Sequence, residues 1–429
     1  MTEGTSGPGA ERREGAIGPG AGRLVIMGSG ETAPTMVEVH RSVLRAAGEG
    51  PALLLDTPYG FQENANSITQ RTIEYFARNV GHHVTPLTWR GRLDGAELDR
   101  ALASIRRARS VFAGPGSPTY ALRVWDGSGV AQALVALARS GGTITFASAA
   151  ALTLGAVAVP VYEIYKSGSV PSWVPAMDVL RELTGLAAAV IPHYDNTEGG
   201  THSTRFCYLG ERRLRLLEPE LPADAHVLGV DEHTALVFDL AAGTASVLGH
   251  GTVTTRVDGV SRMLPSGAVV PITELAWERD AGQDRERSAP VAAPPVGAAA
   301  PPSVRAAADR ARATFDAALA AGDADAAGFA VLGLEQALHD WSADTLQSGD
   351  EDHARRMLRG MVLELARVAE GGLADPRERL APLVEVLLEG RDAARQEGDF
   401  ALADALRDRL NAAGVTVQDT FQGSRWTMR

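Results

Sequence analysis

The sequence predicts an α/β fold in which a mostly parallel sheet is covered by helices on both faces and is followed by a separate all-α domain. Three observations carry this. Residues 23 to 275 alternate short apolar runs with amphipathic stretches, which requires crossover connections and hence parallel strands. A Pro- and Ala-rich seam near residues 279 to 304 has no apolar period and cannot bury enough surface to order itself. Beyond it, Ala, Leu, Arg and acidic residues recur at helical spacing, as in Ala403, Leu406 and Leu410.

Taken in chain order, residues 1–22 are Gly-rich without the apolar core of a signal peptide and read as a disordered lead. The strand-like runs "RLVIMG", "ALLLDT", "HHVTPLTW", "SVFAGPG", "TITFAS", "AAVIPHY" and "HVLGVDE" follow, and the closely spaced "TALVFDL" and "TASVLGH" read as an antiparallel edge hairpin. The expected divisions are a first domain over 23–275, a linker over 276–302 and a helical domain over 303–429. Asp399 is the expected N-cap, and Gly414 the expected stop, of the last helix.

Composition excludes several classes. With 45% apolar and 22% charged residues in 429, the chain has the balance of a globular protein, and no window approaches the roughly 20 apolar residues of a membrane span. The single cysteine, Cys207, can form neither an internal disulfide nor a thiolate zinc site, which agrees with a reducing, cytoplasmic location. It is expected as a buried small apolar residue. A net charge of −12 argues against a protein-wide grip on nucleic acid. Lys166 is the only lysine, which reads first as a bias of composition.

The chemistry concentrates at strand ends, where a doubly wound sheet gathers ligands. Ser148 follows "TITFA" and precedes "AAAL", so its hydroxyl would project from a tight strand-to-helix turn whose small neighbours are Ala147, Ala149 and Ala150. Such a hydroxyl needs a base, and the base an orienting group. His193 ends the apolar run "AAVIP", and Glu163 lies between the two. The loop "AGPGS" can offer the Gly116 amide, and Ala149 a second, to a developing oxyanion. In "HYDNTEGGTH", Asp195, Glu198 and His202 are expected near the site as substrate contacts. They could also form a metal set with His193, but the spacing fits no helix-borne metal motif, so no metal or cofactor is assigned. Arg205, Arg212 and Arg213 can pair with a carboxylate or face water. Asp231, Glu232 and His233 read as a solvated turn. "MGSGETAP" lacks the full dinucleotide fingerprint.

The order of a strand-end "GPGS", a serine elbow, an acid fifteen positions on and a strand-end "PH" resembles the peptidase S51 family, which includes dipeptidase E and the cyanophycinases. The resemblance implies a class I glutamine amidotransferase-like fold, a flavodoxin-like three-layer sandwich, over residues 23 to about 275. It further implies Ser148 as nucleophile, His193 as base, Glu163 as orienting acid, Gly116 and Ala149 as oxyanion hole, and a small peptide or amide substrate with an aspartyl residue at the scissile bond. Phe146 and Ala150 stand where that family's elbow carries glycine.

Residues 387 to 426, with Asp404, Arg407, Asp408, Leu410, Gly414, Asp419, Gly423 and Trp426, resemble the C-terminal region of cysteinyl-tRNA synthetases. That likeness implies tRNA as a partner, with Arg425 and Trp426 as contacts. Against it, residues 303–429 carry 22 Asp and Glu and 15 Arg, about −7, so dimerisation or docking of a protein partner competes with RNA. No signature of a synthetase catalytic domain is present. The expected function is therefore a serine-type hydrolase joined to a helical module. The alternatives are a binding protein that retains both folds without catalysis, and a metal-assisted amidotransferase-like enzyme.

Overall fold

The computed structural model describes residues 20–197, 202–277, 291–292, 303–342, 348–371, 376–420 and 423–428. The chain forms two compact units, Met1–Pro302 with Asp340–Gln347, and Ser303–His339 with Ser348–Arg429. Residues 1–19 of the expected lead and most of the expected linker lie outside the described residues, whereas Gly22, at the end of that lead, is fixed by donating to Ala138 O at 2.7 Å and accepting from Leu240 N at 3.1 Å.

The first unit is built on five parallel strands, β1 (Arg23–Met27), β2 (Ala52–Leu55), β3 (Thr85–Leu87), β4 (Ser110–Ala113) and β5 (Thr143–Ala147), ordered β1-β5-β4-β2-β3. Most are continuous apolar runs because both faces are covered. Leu24, Ile26, Ile144 and Phe146 face one core with Trp89 and Leu134, whereas Val25, Met27 and Ala147 face the other with Tyr75, Phe76 and Phe112. Helices supply the crossovers: α1 (Val37–Ala47), α2 (Ala65–Tyr75), α3 (Gly95–Arg107), α4 (Pro118–Trp125) and α5 (Val130–Arg139). The three-layer α/β sandwich is thereby established.

Two features depart from expectation. The later strands split into a second sheet. After the short α6 (Ala149–Leu152) come β6 (Val157–Ala158), α7 (Val161–Tyr165), β7 (Val174–Pro175), α8 (Val179–Thr184), β8 (Ala188–Ile191), α9 (Gly210–Leu217) and β9 (His226–Val230). In this sheet β6, β8 and β9 are parallel, with Ile191 opposite Gly229. The hairpin of β10 (Thr234–Asp239) and β11 (Thr244–Gly249) is antiparallel, but it is not an edge. β10 pairs with β1, and β11 is covered in turn by a later strand at Ala268–Pro271. The reason is legible in β10 itself, whose run Thr234–Phe238 is buried at every position as only an interior strand can be. The strands at Thr252–Val257 and Val260–Pro265 complete the second sheet, and Val291–Ala292, inside the expected linker, pairs with Ala268–Val269.

Among the described residues the second unit has five helices, Val304–Ala320, Ala324–Asp340, Ser348–Gly371, Pro376–Gln396 and Phe400–Ala412. Asp399 caps the last of them by accepting from Leu402 N at 3.0 Å, and Gly414 follows its end at φ +86°. The unit is not wholly helical. Val415–Thr420 and Gly423–Met428 form an antiparallel hairpin that packs Val417 and Trp426 on Val384, Leu388 and Leu410. Arg391, with its side chain fully buried, donates to both Asp419 oxygens at 2.6 and 3.0 Å and to Ser424 Oγ at 2.7 Å, which fixes the hairpin. Among the described residues no helix is long and apolar enough to cross a membrane.

Two buried histidines make the first unit sensitive to acid. His40 sits among the rings of Tyr75, Phe76 and Phe112 and donates from Nε2 to the Glu31 carbonyl at 2.7 Å. Burial pushes His40 and His226 down from 6.5 to about 4, although a backbone hydrogen bond on each pulls the other way. The unfolded chain therefore takes up protons that the folded chain refuses, so their stabilising contribution is full above pH 6.5 and is lost as pH falls toward about 4. Urea unfolding between pH 7 and pH 4.5 should show a loss of up to about 3 kcal/mol per histidine, and His40→Phe should flatten that slope.

Candidate active site

Ser148 is the first residue past β5, with φ +50° and ψ −124°, a conformation side chains rarely adopt. Its N–H donates to Met27 O at 3.2 Å, and Ala150 N donates to Gly114 O at 3.2 Å, so the turn is tied to the ends of β1 and β4. Phe146 does not crowd it. The Phe146 ring is fully buried in the sheet core, 6.1 Å from the Trp125 ring, on the opposite side of the strand from Ala147.

His193 follows β8 and is also left-handed, at φ +49°. The Ser148 hydroxyl and His193 Nε2 are 2.9 Å apart, and His193 Nδ1 is 2.8 Å from Glu232 Oε1. The serine O–H donates to Nε2, and Nδ1–H donates to the carboxylate. Glu232 is placed by strand pairing: Ile191 and Gly229 are opposite each other, so residues just past the ends of β8 and β9 meet. Asn196 Nδ2 donates to Glu232 Oε1 at 3.0 Å, and Glu232 N donates to Asp195 Oδ1 at 2.7 Å. Burial works against the Glu232 charge, but the hydrogen bond and charge of His193, with the Asn196 amide, outweigh it and hold the carboxyl below its ordinary range.

Glu163 stands elsewhere. It lies on α7, whose geometry turns its Oε1 to accept from Thr119 Oγ1 at 2.7 Å, while its buried Oε2 has no hydrogen-bond partner. The group on His193 Nδ1 is Glu232, from the "GVDEH" turn that reads in sequence as solvated. That turn is held close. Asp231 Oδ2 accepts from Thr252 N at 2.8 Å and from Thr252 Oγ1 at 2.6 Å. A Cβ on Gly28 would lie 2.0 Å from Asp231 O, and one on Gly30 would lie 2.3 Å from His233 Nδ1. The glycines of "MGSG" thus make room for the acid-bearing turn.

A cavity of about 490 Å³ opens over Ser148 and His193 and is lined also by Gly116, Ala149, Tyr162 and Tyr208. Gly116 has φ +140°, and a Cβ there would meet Pro58 O at 2.0 Å. Among the described residues, neither Gly116 N nor Ala149 N donates to a protein acceptor. Two amides and a hydroxyl therefore share one cavity. Cys207 contributes to its wall, buried, and burial with the nearby Glu232 charge pushes its thiol up to about 12, so it is not a nucleophile at neutral pH.

The expected substrate contacts separate. Asp195 holds the Glu232 amide, His202 stacks on Tyr165 with ring centroids 6.1 Å apart, and the Arg205 guanidinium lies 4.7 Å from the Phe206 ring centroid. None of the three lines the cavity wall. Glu198 is outside the described residues. Among the described residues no group of three or more His, Cys, Asp or Glu is arranged to hold a metal ion. In the second unit Arg425 is exposed opposite Gln418, whereas Trp426 is half-buried with Arg377 5.4 Å above its ring centroid.

Residues 377–426 match the cysteinyl-tRNA ligase anticodon binding domain. The chain is 40% identical to a cysteine–tRNA ligase of Beutenbergia cavernae over 111 residues, 24% of this chain and 23% of that protein. It is 50% identical to that of Streptomyces avermitilis over 46 residues, 11% of this chain and 10% of the relative. The chain thus spans about a quarter or less of the length of the curated relatives it matches. Among solved structures, a peptidase from an acI-B1 Actinobacterium superposes with a TM-score of 0.48 at 21% identity, covering 58% of this chain and 97% of that one. A putative peptidase E from Listeria monocytogenes EGD-e superposes with a TM-score of 0.34 at 12% identity, covering 55% and 98%.

The two carboxylates are separable by substitution. Glu232→Gln should slow reaction of Ser148 with a fluorophosphonate by about a hundredfold or more, since the amide disfavours the required tautomer. Glu163→Gln should leave that rate near wild type. The labelling rate of each purified variant measures both.

Proposed function

We propose that the first unit is a serine-type hydrolase that cleaves a small peptide or amide bond. The observation that carries this reading is the chain of hydrogen bonds Ser148–His193–Glu232, 2.9 and 2.8 Å long, at the floor of a solvent-accessible cavity. Ser148 attacks the carbonyl carbon while His193 Nε2 takes the hydroxyl proton. Glu232 holds the imidazole in the tautomer whose Nε2 is a base and favours the imidazolium that forms. The Gly116 and Ala149 amides receive the oxyanion, and His193 then returns the proton to the leaving nitrogen. Water attacks the acyl-serine through the same base, releasing the acid and restoring Ser148.

The second unit we read as a tRNA-binding module, on the strength of the family match over residues 377–426. Its acidic balance favours recognition through shape and a few cations over a broad phosphate grip.

Each half has its own test. An alkyl fluorophosphonate should label the full chain once, and Ser148→Ala or His193→Ala should abolish labelling; a folded wild-type chain that takes no label contradicts the hydrolase. Retention of tRNA on a filter should be measurable at low salt and fall as salt rises, and Arg425→Ala should weaken it. Absent or salt-insensitive retention contradicts the RNA reading.

A further inference from the structure

The wall around Ser148 has a chemistry that amide cleavage leaves unused. The chain has 53 acidic and 41 basic residues, yet Arg71 of α2 and Lys166 just past α7 line the cavity, and among the described residues no Asp or Glu does. Both side chains are exposed, and neither is in an ion pair among the described residues. The nearest acids in chain order are engaged elsewhere. Glu74 accepts from Gln70 Nε2 at 3.0 Å and lies 3.9 Å from Arg78, and Glu163 accepts from Thr119 Oγ1. The same wall is rich in rings. Tyr162 is 37% exposed, with Lys166 Nζ 5.5 Å from its centroid, and the rings of Tyr165 and Tyr208 lie side by side, 4.9 Å apart.

Free cations beside exposed rings are what a nucleotide needs: the cations take a phosphodiester, and a ring takes the face of a base. A wall without carboxylates has nothing to pair with an α-ammonium group, which two cations repel. A serine with a base and amide donors opens an ester by the steps that open an amide. We propose that this chain hydrolyses the ester between an N-acylated amino acid, or a peptide, and the terminal ribose of an RNA, with Arg71 and Lys166 holding the terminal phosphodiester. The inference rests on the hydrolase and RNA readings above and adds the bond that would make one molecule the substrate of both. Ser148 Oγ bonds to the acyl carbon, and the bond from that carbon to the ribose oxygen breaks. His193 carries the serine proton to the departing oxygen. Water then attacks the acyl-serine while His193 takes its proton and returns it to Ser148, which releases the N-acylated acid and an RNA with a free hydroxyl.

The full-length protein is tested on tRNA charged with radiolabelled cysteine, the amino acid of the matched ligase family, and then N-acetylated. Release of acid-soluble label should exceed spontaneous hydrolysis by about a hundredfold or more, and Ser148→Ala should return it to the spontaneous rate. Arg71→Gln and Lys166→Gln should each raise KM about tenfold and lower its salt slope by about one. The methyl ester of N-acetylcysteine, which carries no nucleotide, should be the poorer substrate of the wild type, and that preference should shrink in both variants. Cysteinyl-tRNA with a free amino group should be cleaved about tenfold more slowly, each rate taken relative to its own spontaneous reaction. No release by a chain that a fluorophosphonate labels at Ser148 overturns the proposal and leaves the hydrolase standing. Release that survives Ser148→Ala, a KM unmoved by both substitutions, or equal cleavage of the acetylated and free forms also overturns it. A wild type that takes no fluorophosphonate removes the hydrolase and this activity together. Release without filter retention of uncharged tRNA leaves the ester activity standing and removes the RNA reading of the second unit.

Discussion

Two backbone positions that resist their own conformation hold the site together. Ser148 and His193, at φ +50° and +49°, both occupy the left-handed region, which costs non-glycine residues of order 1–3 kcal/mol each. In these conformations the two side chains meet at 2.9 Å, so the surroundings must enforce both. For Ser148 the enforcement comes from Met27 O and from the fully buried Ala150 and Ala151 of α6. For His193 it comes from its own carbonyl, which accepts from Asn196 N and Cys207 N, both at 3.2 Å. Phe206, Cys207 and Tyr208 are themselves left-handed, at φ +60°, +52° and +65°, so the segment that braces the histidine is also under strain.

The remaining parts converge through close backbone approach. Gly116 lies against Pro58, and Gly28 against Asp231, each closer than any side chain would allow. The first contact brings an amide donor to the cavity, and the second brings the acid-bearing turn to the histidine. Behind that turn, Arg256 is almost fully buried and pairs with Glu218 and Glu211, all four of its hydrogen bonds lying between 2.9 and 3.0 Å. Its guanidinium is 5.5 Å from the Phe206 ring centroid, so this network backs the segment that supports His193.

Much of this is legible in the sequence, and the rest fails for stated physical reasons. The parallel strands announce themselves as short apolar runs; Ser148 and Ala149 stand out at a strand end among small neighbours, and His193 and Gly116 by their place just past other strands. Glu232 does not, because its nearness to His193 follows from the register of β8 on β9, which sequence order does not specify. Glu163 lies between Ser148 and His193 in chain order but sits on a helix, where it accepts from Thr119 Oγ1. The second sheet is hidden because its strands are as apolar as those of the first and separated by similar distances. The terminal hairpin is hidden because "VTVQDT" and "GSRWTM" are short, polar and half exposed, and are fixed by the buried Arg391 of a preceding helix.

In the proposed hydrolase, Glu232 holds the His193 ring so that Nε2 faces the Ser148 hydroxyl as a base. Proton NMR of histidine-¹⁵N-labelled protein observes that bond directly. An exchange-protected Nδ1 proton of His193, well downfield of the amide envelope, is expected, lost in Glu232→Gln and retained in Glu163→Gln. No such resonance between pH 6 and 9, or one that survives Glu232→Gln, would contradict it.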